Sequence, residues 1–369
     1  MKIGIITIHF SYSYGACLQT WATAKAIEKL GHEAKVIDYQ DYYSTRRHRW
    51  YTIDRYTSIQ SNIKEILKRV IYGWHRNGQK NFARFYQELP KTKKIYCSFN
   101  ELNELDKDEG FDVVVSGSDQ IWNPEIFSNG LQPAYYLGFE TKAKRIAYAS
   151  SMGSYVPDDE IQAIQQKYLK KYSYIGVREQ YTSDILNQEL GLSATTVADP
   201  TLLLNKEEWG KIQQAIQMPK RYILLYVLNV ASFDKKYSDV VKFYKKKHNA
   251  EVVQVSIYSY KLNCSDKLVD NCTMEQFVFA VSNSCMVITD SFHGMTISLL
   301  QEKDFVILKM SNPKRIETLL NRIELMDYYC ENINQVKNLS YPIDYSSITP
   351  RIEEYREKSL QWLKNSIEK

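Results

Sequence analysis

MKIGIITIHFSYSYGACLQTWATAKAIEKLGHEAKVIDY, residues 1–39, is the stretch that decides the fold. Ile3–His9 is a continuous run of β-forming residues, the pattern of a strand buried on both faces. Tyr12–Gly15 reads as a tight loop. Leu18–Leu30 has apolar residues at helical spacing, and Gly31 stands where a C′ glycine belongs. Glu33–Tyr39 reads as a second strand. Strand, helix and strand at this spacing make a βαβ unit, which implies a parallel sheet.

Working outward, residues 41–100 break the rhythm and read as a basic, aromatic insertion, with helical stretches near Ile59–Tyr72 and Gln79–Leu89. The α/β alternation resumes with strands at Phe111–Ser116, Arg145–Ser150 and Tyr174–Arg178. Helices are expected near Asp158–Lys171 and Gln180–Leu190, before Thr195–Leu204. A second α/β block starts at Arg221. Its strands are Tyr222–Leu228, Glu251–Ser256, Met286–Thr289 and Phe305–Leu308; its helices are Lys235–Lys247, Met274–Asn283, His293–Gln301 and Pro313–Ile323. A charged helix, Pro350–Ile367, closes the chain, with Thr349 as its expected N-cap. The reading is thus a first domain over 1–205 with its insertion at about 41–100, a second over 206–348, and a final helix over 349–369. Two successive parallel-sheet domains imply a cleft where strand C-termini face each other.

Composition narrows the class. A chain of 369 residues accommodates about two domains. Hydrophobic residues at 44% and charged residues at 25% are ordinary globular values and argue against long disorder. A formal charge of +5 is too weak to imply nucleic acid. The longest apolar stretches fall short of the roughly 20 residues of a membrane span, and no clear cleavage site follows the first apolar run. Cys17, Cys97, Cys264, Cys272, Cys285 and Cys330 are scattered without a C-x-x-C pair, so reduced thiols, a cytoplasmic setting and no metal site are expected.

Four segments could carry chemistry. Ser116–Pro124 follows the strand DVVVSG. Gly117 lets the backbone approach a ligand, and Ser118, Asp119, Gln120 and Asn123 offer hydrogen bonds at a strand's C-terminal end; an Asx-type turn capped by Trp122 is the plainer account. Thr289–Gly294 joins an apolar strand to a helix. Ser291 could cap that helix, placing His293 and Gly294 in its first turn, where backbone N–H groups favour an anion. The dipole there acts against an added proton, which suits His293 to proton transfer near neutrality. Arg178, ending Ile175–Glu179, could fork onto a carboxylate or phosphate, or simply pair with Glu179 at the surface. Arg315 in Asn312–Arg315 lies at another helix start and could join the same anion site. Cys17, beside Gly15, is read as a packing cysteine rather than a nucleophile, because no base is identifiable beside it. Neither G-x-G-x-x-G nor G-x-x-x-x-G-K-[ST] is present, which argues against a dehydrogenase or a P-loop NTPase.

Taken together, YGACLQTWA, VVSGSDQIWNP, YASSMGS, GVRE, VADPTLLL, TDSFHGM and NPKRIETLL, in that order, resemble the polysaccharide pyruvyl transferase family. The resemblance runs from Met1 to about Leu325. It implies an α/β fold of two Rossmann-like domains around a cleft, similar to GT-B glycosyltransferases. It further implies transfer of pyruvate from phosphoenolpyruvate, with no cofactor, onto a sugar of a cell-surface polysaccharide or its lipid-linked precursor, as a cyclic ketal. Acceptor binding is expected on the first domain, through the loop of Gly15, Gly117, Ser118, Asp119, Gln120 and Asn123, and donor binding on the second. The family's essential histidine falls on His293 and its anion-binding arginines on Arg178 and Arg315, with Ser291 and Gly294 beside the donor. Many members carry arginine two residues before the histidine, where this chain has Ser291. Either Arg178 and Arg315 suffice, with Asp290 and Ser291 in altered roles, or the donor site differs.

The rival within the same fold is a sugar-nucleotide glycosyltransferase, for which Glu302 could be the ribose-binding carboxylate. A glycan-binding protein using the chain's 29 tyrosines is a second rival. From Arg46 to Lys94 basic residues outnumber Asp54, Glu65 and Glu88, interleaved with Trp50, Tyr51, Tyr56, Tyr72 and Trp74. That pattern suits peripheral contact with the inner face of a membrane or a lipid-linked acceptor, or a solvated basic face.

Overall fold

The computed structural model describes residues 1–41, 59–60, 63–64, 66–67, 76–127, 130–309 and 313–369. Two six-stranded parallel sheets carry the chain. The first is built from β1 (Lys2–Ile6), β2 (Glu33–Val36), β3 (Val113–Ser116), β4 (Lys144–Ser150), β5 (Tyr174–Val177) and β6 (Ala194–Thr196), in the order β2-β1-β3-β4-β5-β6. The second is built from β7 (Tyr222–Tyr226), β8 (Glu251–Val255), β9 (Lys267–Val269), β10 (Met286–Thr289), β11 (Phe305–Leu308) and β12 (Tyr329–Cys330), in the order β12-β11-β10-β7-β8-β9. Every strand pair is parallel. The central strands Val113–Ser116, Met286–Thr289 and Phe305–Leu308 are buried throughout, as strands covered by helices on both faces must be.

Strand order reverses between β1 and β3 in the first sheet and between β7 and β10 in the second. Open parallel sheets bind ligands beyond the C-terminal ends of the strands at such points. The segments that fall there are Thr7–Gly15 and Gly117–Asn123 on one side and Asp290–Gly294 on the other.

The first βαβ unit forms as the sequence reads, with different edges. Helix α1 spans Tyr14–Lys29 and is capped by Ser13, so Gly15 lies in its first turn and not in a loop. Gly31 takes a φ of +87°, the left-handed turn that ends the helix without strain. In the insertion, α2 (Arg76–Glu88) anchors to the first sheet through Tyr86. Tyr86 Oη donates to Asp38 Oδ2 at 2.5 Å, and Asp38 Oδ1 also meets His9 Nε2 at 3.1 Å in a buried cluster. Of the expected helix Ile59–Tyr72, residues 59–60, 63–64 and 66–67 are described and helical. Trp50, Tyr51, Tyr56, Tyr72, Trp74 and Asn312 lie outside the described residues.

The last helix corrects the sequence reading. It is α10, counted after α3 (Asp159–Leu169), α4 (Gln180–Asp184), α5 (Lys206–Lys211), α6 (Val230–His248), α7 (Met274–Ser282), α8 (Phe292–Leu300) and α9 (Pro313–Arg322), and it spans Tyr345–Glu368. Asp344 is its cap, accepting from Ser346 N at 3.0 Å, and Thr349 and Pro350 lie inside it. Pro350 is tolerated there because its missing N–H would have bonded the carbonyl of Ser346, and both residues are exposed. The helix does not stand apart. It returns to the first domain, where Trp362 covers Gly176 and lies 6.1 Å from the ring of Tyr148. Ser359 Oγ accepts from Ala198 N, and Lys144 Nζ donates to Ile367 O. Among the described residues no helix is long and apolar enough to cross a membrane.

Candidate active site

The two halves of the molecule meet where α1 and α8 begin. Tyr14 of α1 stacks on Phe277 of α7 at 4.7 Å and donates its hydroxyl to the carbonyl of Cys272. Gly15 packs so closely on His293 that an added Cβ would overlap the imidazole at Nδ1. This glycine is therefore a place of close approach between the domains.

Ser291 caps α8, its Oγ accepting from Gly294 N at 3.3 Å, as its place before the helix predicts. His293 therefore sits in the first turn, buried. Gly294 is held against Thr289 and Tyr226, with no room for a side chain. Asp290 is spent on structure: its carboxylate accepts from Leu228 N and Asn229 N, tying the end of β10 to the end of β7. Burial pushes its carboxyl above the ordinary range, against those bonds.

Arg178 leaves the end of β5 and is buried, so its pair with Glu179 is no surface contact. Its Nε lies 3.3 Å from Glu179 Oε1 and its Nη1 2.9 Å from Asp199 Oδ2, while Nη2 has no hydrogen-bond partner among the described residues. Glu179 is fixed in turn by Ser151 and Thr182. Asp199 accepts from Thr201 N and Thr201 Oγ1 through Oδ1, and from Ser118 Oγ through Oδ2. Its Oδ2 also lies 3.7 Å from His293 Nε2. Burial would raise the carboxyl of Asp199; the charges and bonds of His293, Arg178 and Thr201 outweigh it and hold Asp199 far below the ordinary range.

Arg315 enters from the first turns of α9. Its guanidinium carbon lies 5.9 Å from the ring centroid of Phe292, and that of Arg178 lies 5.2 Å from the same ring. Two cations thus flank one aromatic platform. Among the described residues Arg315 Nε has no hydrogen-bond partner, and neither has His293 Nε2. Burial, with Arg178 as the next cause, pushes Arg315 down to about 10, against the more distant charges of Asp119, Glu179 and Asp199. An anion entering the site would give this guanidinium a direct partner.

The loop after β3 divides. Ser118 faces inward, holding Asp199 and accepting from Thr7 Oγ1 through its carbonyl. Gly117 packs on Thr7, where an added Cβ would come within 3.1 Å of Thr7 Cβ. Asn123 caps the short helix Pro124–Ile126, and Gln120 bonds Asn123 and covers Gly153. Asp119 remains partly open, with a φ of +82° unusual outside glycine, and its charge acts on both Arg178 and Arg315. Structure therefore takes most of the residues expected to meet an acceptor and leaves Asp119. Glu302, the carboxylate expected of a sugar-nucleotide enzyme, follows the far end of α8 and pairs with Lys206. Cys17 is buried, and burial with Glu275 pushes its thiol well up, which makes it a packing residue. All six cysteines are free. Among the described residues no group of three or more His, Cys, Asp and Glu side chains is gathered to hold a metal.

The sequence offers Glu179 only as a surface partner of Arg178 and gives Asp199 no role. The visible signal was Asp199-Pro200 after a strand; nothing local foretold that its carboxylate would reach across to His293.

Two parallel sheets facing across a cleft, with the polar constellation at both switch points, define a two-domain α/β protein of the GT-B-like class. Solved structures agree on the fold alone. The UDP-GlcNAc 2-epimerase of Neisseria meningitidis bound to UDP-GlcNAc is 12% identical, with a TM-score of 0.50 over 100% of this chain and 93% of that one. A glycosyltransferase from Rickettsia africae is 14% identical, with a TM-score of 0.50 over 99% and 93%. A UDP complex of MnaA from S. aureus is 11% identical, with a TM-score of 0.51 over 98% and 91%. No curated protein matches. The chain belongs to the polysaccharide pyruvyl transferase family, whose model matches residues 14–312.

Proposed function

We propose that the protein transfers pyruvate from phosphoenolpyruvate onto two hydroxyls of a saccharide acceptor, free or lipid-linked, as a cyclic ketal. The observation that carries this reading is the pair of buried guanidinium nitrogens beside Phe292 that have no hydrogen-bond partner among the described residues, Arg178 Nη2 and Arg315 Nε. Phosphoenolpyruvate has a carboxylate and a phosphate, and two guanidiniums beside one imidazole match an anion with two charged ends. In the reaction, a proton adds to the donor's methylene carbon while an acceptor oxygen bonds C2. Phosphate then leaves, and the second hydroxyl closes the ketal. Of the two hydroxyl protons, one ends on the new methyl group and one leaves with phosphate. His293 is the group suited to move protons in these steps. Asp119, opposite the arginines, is the available contact for the acceptor.

The test is incubation of candidate nitrophenyl or lipid-linked glycosides with phosphoenolpyruvate. A pyruvyl mass gain with stoichiometric phosphate release is expected. Release of a nucleoside diphosphate from a sugar nucleotide, with no use of phosphoenolpyruvate, would overturn the reading.

Peripheral membrane contact through the insertion belongs to the same proposal. Its support is the basic surplus from Arg46 to Lys94, together with Ile59, Ile63, Ile66 and Leu67, exposed at helical spacing. Co-sedimentation with anionic vesicles at low salt, lost at high salt, is expected. No binding at low salt would remove it.

A further inference from the structure

We propose that Asp199 is the positioning residue of this site: its carboxylate fixes Arg178 of the first domain and selects the Nε2–H tautomer of His293 from the second. The inference rests on the pyruvyl-transfer reading for what the proton is used for, and on geometry for where the proton is held.

The carboxylate has no freedom of its own. Oδ1 is pinned by Thr201 N at 3.0 Å and Thr201 Oγ1 at 2.7 Å, and Oδ2 by Ser118 Oγ at 3.1 Å and Arg178 Nη1 at 2.9 Å. The same Oδ2 is 3.7 Å from His293 Nε2, a nitrogen with no hydrogen-bond partner among the described residues. A small rotation of the ring brings that N–H within bonding distance. Asp199 is itself fully covered, so it acts through Arg178 and His293 and does not touch substrate.

The opposite edge of the imidazole packs against Gly15, where any side chain would overlap Nδ1, so the ring is confined from both edges. This is the arrangement by which a carboxylate selects a histidine tautomer and stabilises the imidazolium.

The surrounding charges agree. Around His293 stand Asp199, Arg178 and Glu179 from the first domain, Asp119 from the loop after β3, Arg315 from α9, and Asp290 just before its own helix. From α1 comes the uncharged Gly15. Arg178 is shared between Glu179 and Asp199, which leaves Asp199 as the anion nearest the imidazole. The depressed carboxyl of Asp199, with His293 and Arg178 as its main stabilising partners, is what such a bridge requires.

The experiment is nitrogen-15 spectroscopy of the histidine rings across pH, in wild type and Asp199→Asn, with His293→Ala for assignment. Wild-type His293, when neutral, should carry its hydrogen on Nε2. In Asp199→Asn that preference for Nε2 should be lost. Its kcat should fall about 10²-fold. Binding of phosphoenolpyruvate should be unchanged or tighter, since Arg178 loses a competing anion. A neutral ring protonated on Nδ1 in wild type, or the same tautomer in both proteins, overturns the proposal. So does loss of donor binding without a change in tautomer, which marks a merely structural role. Should the variant not fold, the wild-type tautomer decides. A wild-type enzyme that leaves phosphoenolpyruvate untouched would remove the pyruvyl reading, and the ring spectra would still judge Asp199.

Discussion

Arg178 and Arg315 face one aromatic ring and differ in every other respect, so the same substitution should do opposite things. Arg178 is the counter-charge of two buried carboxylates. Arg178→Ala strands Glu179 and Asp199 in a dry environment and should cost about 3–5 kcal/mol of stability. Arg178→Lys keeps the charge without the planar fork and should fold but bind donor poorly. Arg315 has no carboxylate partner within ion-pair distance among the described residues. Arg315→Ala removes a half-buried cation beside another cation, so the ligand-free protein should melt no lower than wild type, while phosphoenolpyruvate binding weakens by about 2 kcal/mol or more. Thermal melts beside calorimetric titration separate the two cases; equal destabilisation by both variants would contradict this account. His293→Ala should lose about 10²–10⁴-fold in kcat with donor affinity little changed, and wild-type turnover would remove its role. Acid should also weaken the fold through Asp38. Burial alone would raise its carboxyl, but His9, Tyr86 and Gln40 hold it below the ordinary range. A depressed folded-state carboxyl stabilises above the unfolded value, about pH 4, and the contribution drains away below it. Asp38→Asn should therefore flatten the acid side of a stability–pH curve, and an unchanged curve would count against the cluster. At this scale the sequence showed His293, Arg178 and Arg315, because each stands where a strand ends or a helix begins. Asp199 meets Arg178 and His293 only when distant segments fold together.

Among the elements, α10 carries the clearest prediction. Trp362 fills the space above Gly176 and meets Tyr148 and Tyr174, so it packs the first sheet although it belongs to the end of the chain. Trp362→Ala should cost stability near the low end of the roughly 3–5 kcal/mol typical of buried tryptophans, since this one is only partly buried. A urea melt measures it, and a loss under about 1 kcal/mol would show that the helix is merely draped on the sheet. Strand runs such as Val113–Ser116 and Phe305–Leu308 were legible because continuous β-branched and apolar residues have few other uses. The start of α10 was misread because a threonine followed by proline is a common helix opening. The buried positions Ile348, Ile352 and Tyr355 show what overrode it: one apolar face runs through the proline. That face needed the sheet beneath it to be recognised.

For the molecule as a whole, the structure is closed, with Gly15 against His293 and Tyr14 stacked across the divide. Substrates must enter a site shut by these contacts, so opening is required. Trp209 of α5 is buried beside Trp21 of α1 and bonds Thr201, which fixes the connecting helix to the first domain. The chain can therefore bend between α5 and β7, and again before α10. Small-angle scattering should find the ligand-free protein more extended than the closed form, and saturating phosphoenolpyruvate should restore compaction. Gly15→Ala, which inserts a methyl group at the closest approach, should leave the protein extended even with donor. Identical profiles for all three states would refute the hinge.

The return of α10 to the first sheet also sets an order of events during synthesis. Residues 1–205 leave the ribosome early, yet the surface around Gly176 and Tyr148 stays uncovered until residues 345–368 follow. The first domain must wait, partly bare, while the second is made and folded. A nascent chain arrested near residue 340 should thus display a holdase-binding, protease-sensitive first domain, and supplying the missing helix as a separate peptide should protect it.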